Sequence, residues 1–198
     1  MDAIGRPRTP LACRAAAFGG HVTTLAWLIE HGWPVDMLVY SRAARKGHAH
    51  VLTWLLSRPD ALAMDGTVLD DAIHGGCATD HLEWLVRVGA PWPTRDARYP
   101  MYTAGQSGKI EVIEWVAREG PQPTAWIDAI CGVAEADNVG LLDALHAAGH
   151  FQDAQGNRKP LDGAFFWASE SQSLAAMAWL ADHDPGLTLD DDAIRERA

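Results

Sequence analysis

The sequence predicts an all-α fold, an α-solenoid of about six stacked helix-turn-helix repeats, because one short pattern recurs along the chain. In residues 43–56 the pattern consists of small residues, a Gly-containing turn and an apolar run centred on Trp-Leu. Its Trp position recurs at intervals of 27, 30, 31, 29 and 35 residues. Such intervals are typical of stacked repeats, which bury their apolar faces against one another. The six occurrences are Trp27-Leu28, Trp54-Leu55, Trp84-Leu85, Trp115-Val116, Ala144-Leu145 and Trp179-Leu180.

Two further regularities support the same fold. A Gly stands five residues after the Trp position in four repeats, where a helix end favours a residue that can adopt positive φ. Pro59 and Asp184 take that place in the other two repeats. An Ala stands 10 to 12 residues before each Trp position, where a small side chain allows two helices to approach closely. The Gly residues are Gly32, Gly89, Gly120 and Gly149, and the Ala residues are Ala17, Ala44, Ala72, Ala104, Ala134 and Ala168.

Each repeat is interpreted as two short helices joined by a turn. In repeat three, Thr67 is predicted to open a capping box that extends to Asp70, and the turn carries one extra residue. Repeat five has Ala144 at the Trp position, so we expect another side chain to fill the space. The predicted helices of the first two repeats cover residues 11–18, 22–30, 37–45 and 50–56.

The later repeats are followed by a polar end. Residues 150–161 are predicted to form an exposed loop, because they are polar and contain Gly and Pro. Residues 188–198 are predicted to form a helix that caps the solenoid. The repeats span about residues 9–36, 37–60, 65–93, 98–123, 124–152 and 161–187 of a single domain over residues 1–198.

Composition limits the class of protein. In 198 residues with 48% apolar composition, no run approaches the roughly 18 apolar residues of a membrane span. Residues 1–6 lack the apolar segment of a signal peptide, so we expect a cytoplasmic protein without a membrane partner. Three cysteines in three different repeats do not suggest a disulfide framework, and we interpret Cys13, Cys77 and Cys131 as small buried residues.

The charge is acidic and unevenly distributed. A net charge of −10 argues against nucleic acid as the partner, because that affinity comes largely from clustered Lys and Arg. Residues 1–60 have seven Lys or Arg and four Asp or Glu, whereas residues 121–198 have four and thirteen. We therefore expect a rod with a mildly basic start and a strongly acidic end.

Catalytic and metal-binding patterns are weak. The best group of potential zinc ligands, His74, Cys77 and His81, crosses a predicted helix boundary and lacks a clear fourth ligand. We find no nucleophile elbow, phosphate-binding Gly loop or HExxH motif, so we expect neither a cofactor nor an enzyme. His21 and His48 follow turn glycines, where we expect hydrogen bonds within the turn.

The Trp series is predicted to pack in the core, because it shares the face of the following Leu. Truncation of Trp54 to Ala should then destabilise the fold far more than loss of an exposed aromatic residue. Trp33 and Trp92 lie in turns between repeats, and their burial stays open at this point.

The residues 16–21 (Ala-Ala-Phe-Gly-Gly-His) and 43–48 (Ala-Ala-Arg-Lys-Gly-His) resemble the middle of the ankyrin repeat. The Trp-Leu core, the turn over residues 89–92 and the periods under 33 are similar to the short ankyrin repeats of large DNA viruses of amoebae. This resemblance implies reduced or absent β-hairpin fingers between repeats. It also implies a viral protein that acts in the host cytoplasm on a host protein.

The resemblance implies a protein–protein interaction module whose partner binds the ends of the first helices and the adjoining loops. A self-assembling structural solenoid is the alternative, and an enzyme or metal-binding protein is a weaker one. The charge of the proposed positions passes from basic to acidic along the chain. The residues at these positions are Phe18, Arg45, Lys46, His74, Gln106, Ser107, Glu135 and Glu170.

Overall fold

The computed structural model describes residues 7–93, 99–121, 125–152, 161–184 and 187. These residues form twelve α-helices and no β-strand, which confirms the all-α prediction. No helix in these ranges is long and apolar enough to cross a membrane. The helices are α1 (Leu11–Phe18), α2 (Val22–Glu30), α3 (Met37–Arg45), α4 (Ala49–Leu56), α5 (Gly66–His74), α6 (Thr79–Arg87), α7 (Tyr99–Gln106), α8 (Ile110–Glu119), α9 (Trp126–Glu135), α10 (Val139–Ala147), α11 (Asp162–Glu170) and α12 (Leu174–His183).

The chain divides into two compact halves, residues 1–94 and residues 95–198. Each half contains three helix pairs. In the amino-terminal half, the first helices of the pairs pack in the order α1, α3, α5. In the carboxyl-terminal half, the corresponding order is α7, α9, α11.

Small residues line the contacts between the first helices. All six Ala residues that precede the Trp positions are fully buried. Two glycines bring α7 and α9 still closer, because a Cβ on Gly132 would overlap the carbonyl oxygen of Tyr102 and one on Gly105 would overlap that of Ala129. The predicted close approach of the helices is therefore present in both halves.

The turn inside each pair has the same backbone form. One residue per turn has positive φ. In the first, second, third, fifth and sixth repeats, the next N–H donates to the carbonyl five residues before it, near the end of the first helix. In the second repeat, His48 N donates to Ala43 O at 2.9 Å. This geometry satisfies carbonyls that the helix end leaves without a partner. The positive-φ residues are Gly20, Gly47, Gly76, Gly108, Asp137 and Gln172.

The third repeat contains one extra residue between its turn and its second helix. Helix α6 begins three residues after Gly76, whereas the other second helices begin two residues after the turn residue. The first helix of this repeat begins earlier than predicted. Its N-cap is Asp65, whose carboxylate accepts the backbone N–H of Thr67 at 2.9 Å.

The glycines after the second helices behave in two ways. Gly32, Gly89 and Gly149 have the expected positive φ. Gly120 does not, since its φ is −73° and its ψ is 168°. Pro121 follows, and a residue before proline is restricted to extended backbone, so the expectation was wrong at this position.

The apolar core corrects the interpretation of the Trp series. Trp27 is 52% exposed, Trp54 and Trp84 are half-buried, and only Trp115 and Trp179 are buried. Neighbouring residues of a helix point about 100° apart. When the residue after the Trp faces the core, the Trp itself therefore lies at the edge of the core. The repeated buried residues are therefore the ones that follow the Trp position, which are Leu28, Leu55, Leu85, Val116, Leu145 and Leu180.

Two partly exposed Trp rings are covered by residues that follow their helices. His31 stacks on Trp27 with ring centroids 4.0 Å apart, and the guanidinium of Arg58 lies 5.2 Å from the centroid of Trp54. Both partners follow the Trp by four residues and lie just beyond the ends of α2 and α4. These contacts shield rings that the core does not enclose.

The remaining predictions have mixed outcomes. Ala144 is exposed, so no side chain has to fill a space there. Phe151 is buried, which contradicts a fully exposed loop at the start of residues 150–161, while residues 153–160 lie outside the described residues. The predicted cap, residues 188–198, also lies outside them. All three cysteines are buried, as predicted, and Trp33 and Trp92 are half-buried.

Candidate protein-binding face

The proposed binding residues share one place in the repeat. Six of them stand two residues before the positive-φ residue of the turn, and Lys46 and Ser107 stand one residue before it. The extra residue of the third repeat comes after the turn, so His74 is in register with Arg45. We call this set of helix ends and turns the first-helix face. The six residues are Phe18, Arg45, His74, Gln106, Glu135 and Glu170.

Arg45 joins two neighbouring repeats. One guanidinium nitrogen donates to Asp71 Oδ1 at 3.0 Å, and the other lies 3.0 Å from His74 Nδ1. An arginine can only donate, so His74 Nδ1 is the acceptor in this contact. Arg45, Asp71 and His74 are half-buried, and together they tie the end of α3 to α5.

Lys46 and Phe18 come together on the neighbouring part of the face. Lys46 Nζ lies 4.7 Å from the centroid of the Phe18 ring, a distance at which a cation is attracted by the aromatic face. Phe18 is 42% exposed, and Lys46 is exposed. A cation and an apolar ring are thus both accessible at the ends of α1 and α3.

The turn residues also carry hydrogen bonds from one repeat to the preceding one. His48 Nε2 donates to Phe18 O at 3.1 Å, and His50 Nε2 donates to Gly20 O at 2.9 Å. The turn bonding expected of His48 is therefore present, but it reaches the previous turn. Cys77 replaces His48 in the next repeat, where its thiol donates to Ala44 O at 3.2 Å.

In the carboxyl-terminal half, a serine hydroxyl makes the corresponding hydrogen bond to the preceding repeat. Ser173 Oγ donates to Glu135 O at 2.7 Å, and Asp137 Oδ1 accepts the backbone N–H of Ala176 at 2.8 Å. Both bonds join the turn after α9 to the start of α12. Such bonds hold successive helix ends at a fixed spacing, which a rigid binding face requires.

Glu135 is at the centre of the face in the carboxyl-terminal half. Its Oε2 accepts hydrogen bonds from Tyr102 Oη and from Gln106 Nε2, the latter at 2.7 Å. The ring of Tyr102 also lies 5.4 Å from the ring of Trp167, measured between centroids. Burial, and then the hydrogen bond to Glu135, raise the pKa of Tyr102, so the hydroxyl keeps its proton and remains a donor.

Ser107 and Glu170 are the remaining predicted residues of the first-helix face. Ser107 Oγ donates to Ala104 O at 2.6 Å, so its hydroxyl caps its own helix. Glu170 is exposed at the end of α11.

Sequence reasoning missed Asp71, Tyr102 and Trp167. Each lies three or four residues before a predicted position on the same first helix, a spacing that places both on one helical face. That spacing is the signal that could have found them.

The metal-ligand candidates have other uses. Cys77 donates to a backbone carbonyl, and His74 accepts from Arg45. His81 stacks on Trp84 with ring centroids 5.6 Å apart. In the described part of the chain, no group of three His, Cys, Asp or Glu side chains is placed to hold a metal ion.

The first two helix pairs are the part of the chain that matches a known family. Residues 13–56 match the family model for ankyrin repeats (many copies). The matched range extends from Cys13 in α1 to Leu56 at the end of α4, so it contains most of the first two helix pairs and the turns next to Phe18, Arg45 and Lys46. The other four pairs lie outside the match. No curated protein matches the chain.

Proposed function

We propose that this protein is a non-enzymatic protein–protein interaction module that binds its partner through the first-helix face. The observation that carries the proposal is the common register of the six positions, two residues before each positive-φ turn. Within each half, a regular series of partly accessible side chains on stacked helices suits an extended partner surface and does not require a deep pocket. The ankyrin match over residues 13–56 supports the same class of function.

The resemblance to the short ankyrin repeats of large DNA viruses of amoebae limits the class of partner that we propose. The short Trp-Leu repeats are similar to those of viruses of amoebae, so we infer a host protein in the host cytoplasm as the partner. The charge of the face supports a protein whose surface complements Arg45 and Lys46 in the amino-terminal half and Glu135 and Glu170 in the carboxyl-terminal half. Complementary charge would raise the rate of association, and salt would reduce it.

The test is capture of a specific partner from amoebal lysate by variants of the exposed face. Lys46→Glu should reduce capture several-fold at low salt, and the difference should shrink at moderate salt. Arg87→Glu is the matched control, because Arg87 is exposed in the same half but lies on the second helix α6. Circular dichroism would verify that both variants fold.

Two outcomes would count against the proposal. Equal capture by Lys46→Glu, Arg87→Glu and wild type, with Gln106→Ala also without effect, would place the functional surface elsewhere. Sedimentation that shows discrete self-association, with no other protein retained, would favour the self-assembling solenoid.

A further inference from the structure

A carboxylate, an amide and two aromatic rings meet on the first helices of the carboxyl-terminal half. We call Tyr102, Gln106, Glu135 and Trp167 the Glu135 cluster. Its members come from α7, α9 and α11, and all four side chains are half-buried, so each is partly accessible to a ligand. The phenol of Tyr102 connects the cluster, because its hydroxyl donates to Glu135 and its ring packs beside Trp167.

The carboxylate of Glu135 differs from those of Asp71 and Asp36, which also lie between first helices. In the amino-terminal half, Asp71 is paired with Arg45, and Asp36 is paired with Arg14. Within the described ranges, Glu135 has only the neutral donors Tyr102 and Gln106, both on Oε2. Its negative charge is therefore oriented by hydrogen bonds and, among the residues that the structure describes, has no cation paired with it.

The cluster selects for the sign of its ligand. Aromatic rings attract a cation above their faces, and a guanidinium can stack on a ring while it donates to a carboxylate. The composition of this part of the sequence has the same sign, since residues 121–198 have thirteen Asp or Glu and four Lys or Arg. A phosphate or a carboxylate ligand would meet repulsion at this site.

We propose that the Glu135 cluster is the subsite that accepts the side-chain cation of an Arg or Lys from the partner protein. Oε1 of Glu135 accepts the cation, and the rings of Tyr102 and Trp167 cover its apolar part. This assignment rests on the proposed function, because it specifies what one segment of the first-helix face binds.

The direct test uses peptide probes that differ only in charge. A nine-residue Gly-Ser peptide with three Arg residues is compared with the same peptide containing citrulline, which is uncharged and nearly identical in shape, and with a Lys version. Binding is followed by the backbone and indole N–H signals of the cluster in NMR spectra. The Arg peptide should shift the Trp167 indole signal and bind at least about ten-fold more tightly than the citrulline peptide. The Lys peptide should shift the same signal.

Variants of the cluster separate this subsite from general acidity. Glu135→Gln keeps a side-chain oxygen for Tyr102 and Gln106 but removes the charge, and it should weaken the Arg peptide at least five-fold. Trp167→Leu should also weaken it. Glu114→Gln is the matched control, because it removes the same charge from an exposed position on α8 in the same half. It should leave the affinity within two-fold of wild type.

The proposal is overturned if the citrulline peptide binds as well as the Arg peptide, or if Glu135→Gln and Glu114→Gln have equal effects. If either result is found while capture of the partner still depends on Lys46, the cation subsite is rejected but the proposed function is not. Loss of dependence on every first-helix variant would reject the proposed function as well.

Discussion

Leu55 and Trp54 are neighbours in α4 with different environments. Leu55 is 1% exposed, whereas half-buried Trp54 lies at the edge of the core beneath Arg58. Leu55→Ala should therefore lower the free energy of unfolding by about 2–5 kcal/mol, and Trp54→Ala should cost less. Trp115→Ala, at a fully buried Trp, should cost about 3–5 kcal/mol.

Urea unfolding of the three variants would measure this order. Thr53→Ala is a suitable control on the same helix, because Thr53 is exposed and should change the free energy of unfolding by less than about 0.5 kcal/mol. A larger effect for Trp54→Ala than for Leu55→Ala would contradict the assignment of the core to the residue after the Trp.

Asp36 provides a residue-level test by pH. Its carboxylate accepts hydrogen bonds from Arg14, with Nε to Oδ2 at 3.1 Å, and this interaction lowers the pKa of Asp36 below its ordinary value near 4. The native state thus favours the ionised form. The resulting stability is present above the ordinary pKa and is lost as the pH falls through the lower pKa of the folded protein.

NMR titration of the Asp36 carboxyl carbon would reveal the lowered pKa. In Arg14→Gln the pKa should rise toward the ordinary value, because the charged donor has been removed. Arg87→Gln, at an exposed position on α6, should leave the Asp36 titration unchanged. An unchanged pKa in Arg14→Gln would exclude this pair as the cause.

At the scale of elements, the packing of α7 on α9 depends on the absence of a side chain at Gly132. A Cβ there would overlap the carbonyl oxygen of Tyr102, so Gly132→Ala should force the helices apart and lower the free energy of unfolding by about 1–3 kcal/mol. The displacement should also weaken the hydrogen bond between Tyr102 and Glu135. Thermal unfolding and the NMR signals of α7 would show both effects.

Gly140 is the matched control for this substitution. It is exposed in α10, and its nearest neighbour for an added Cβ is Asn138 Oδ1 at 3.8 Å. Ala is favoured over Gly inside a helix, so Gly140→Ala should raise the free energy of unfolding by about 0.5–1 kcal/mol. Substitution of Gly by Ala should therefore lower the free energy of unfolding at position 132 and raise it at position 140. A change of the same sign at both positions would contradict the close approach at Gly132.

At the scale of the whole molecule, secondary structure is the most direct observable. The described residues form twelve helices, so the far-ultraviolet circular dichroism spectrum should be dominated by helix, with minima at about 208 and 222 nm. A spectrum dominated by β-sheet would overturn the architecture.

The sequence by itself determined the repeat architecture, because local features encode it. The spacing of the Trp-Leu pairs, the buried Ala positions and Gly20 and Gly47 in the turns follow from helical periodicity and from the backbone freedom of glycine. These features identified the six helix pairs, and His74, like Arg45, stands two residues before the positive-φ residue of its turn.

Only the tertiary structure decided which side chains meet. Asp137 and Gln172 adopt positive φ without being glycine, and the turns around them bond to neighbouring backbone atoms. The exposure of Trp27 and the contacts within the Glu135 cluster depend on how neighbouring helices are set against each other. Glu135 lies 29 residues from Gln106 and 33 from Tyr102, so their contact requires the close approach that Gly132 permits. Distances between helices, unlike the periodicity of one helix, are set by packing and are not written in any local pattern.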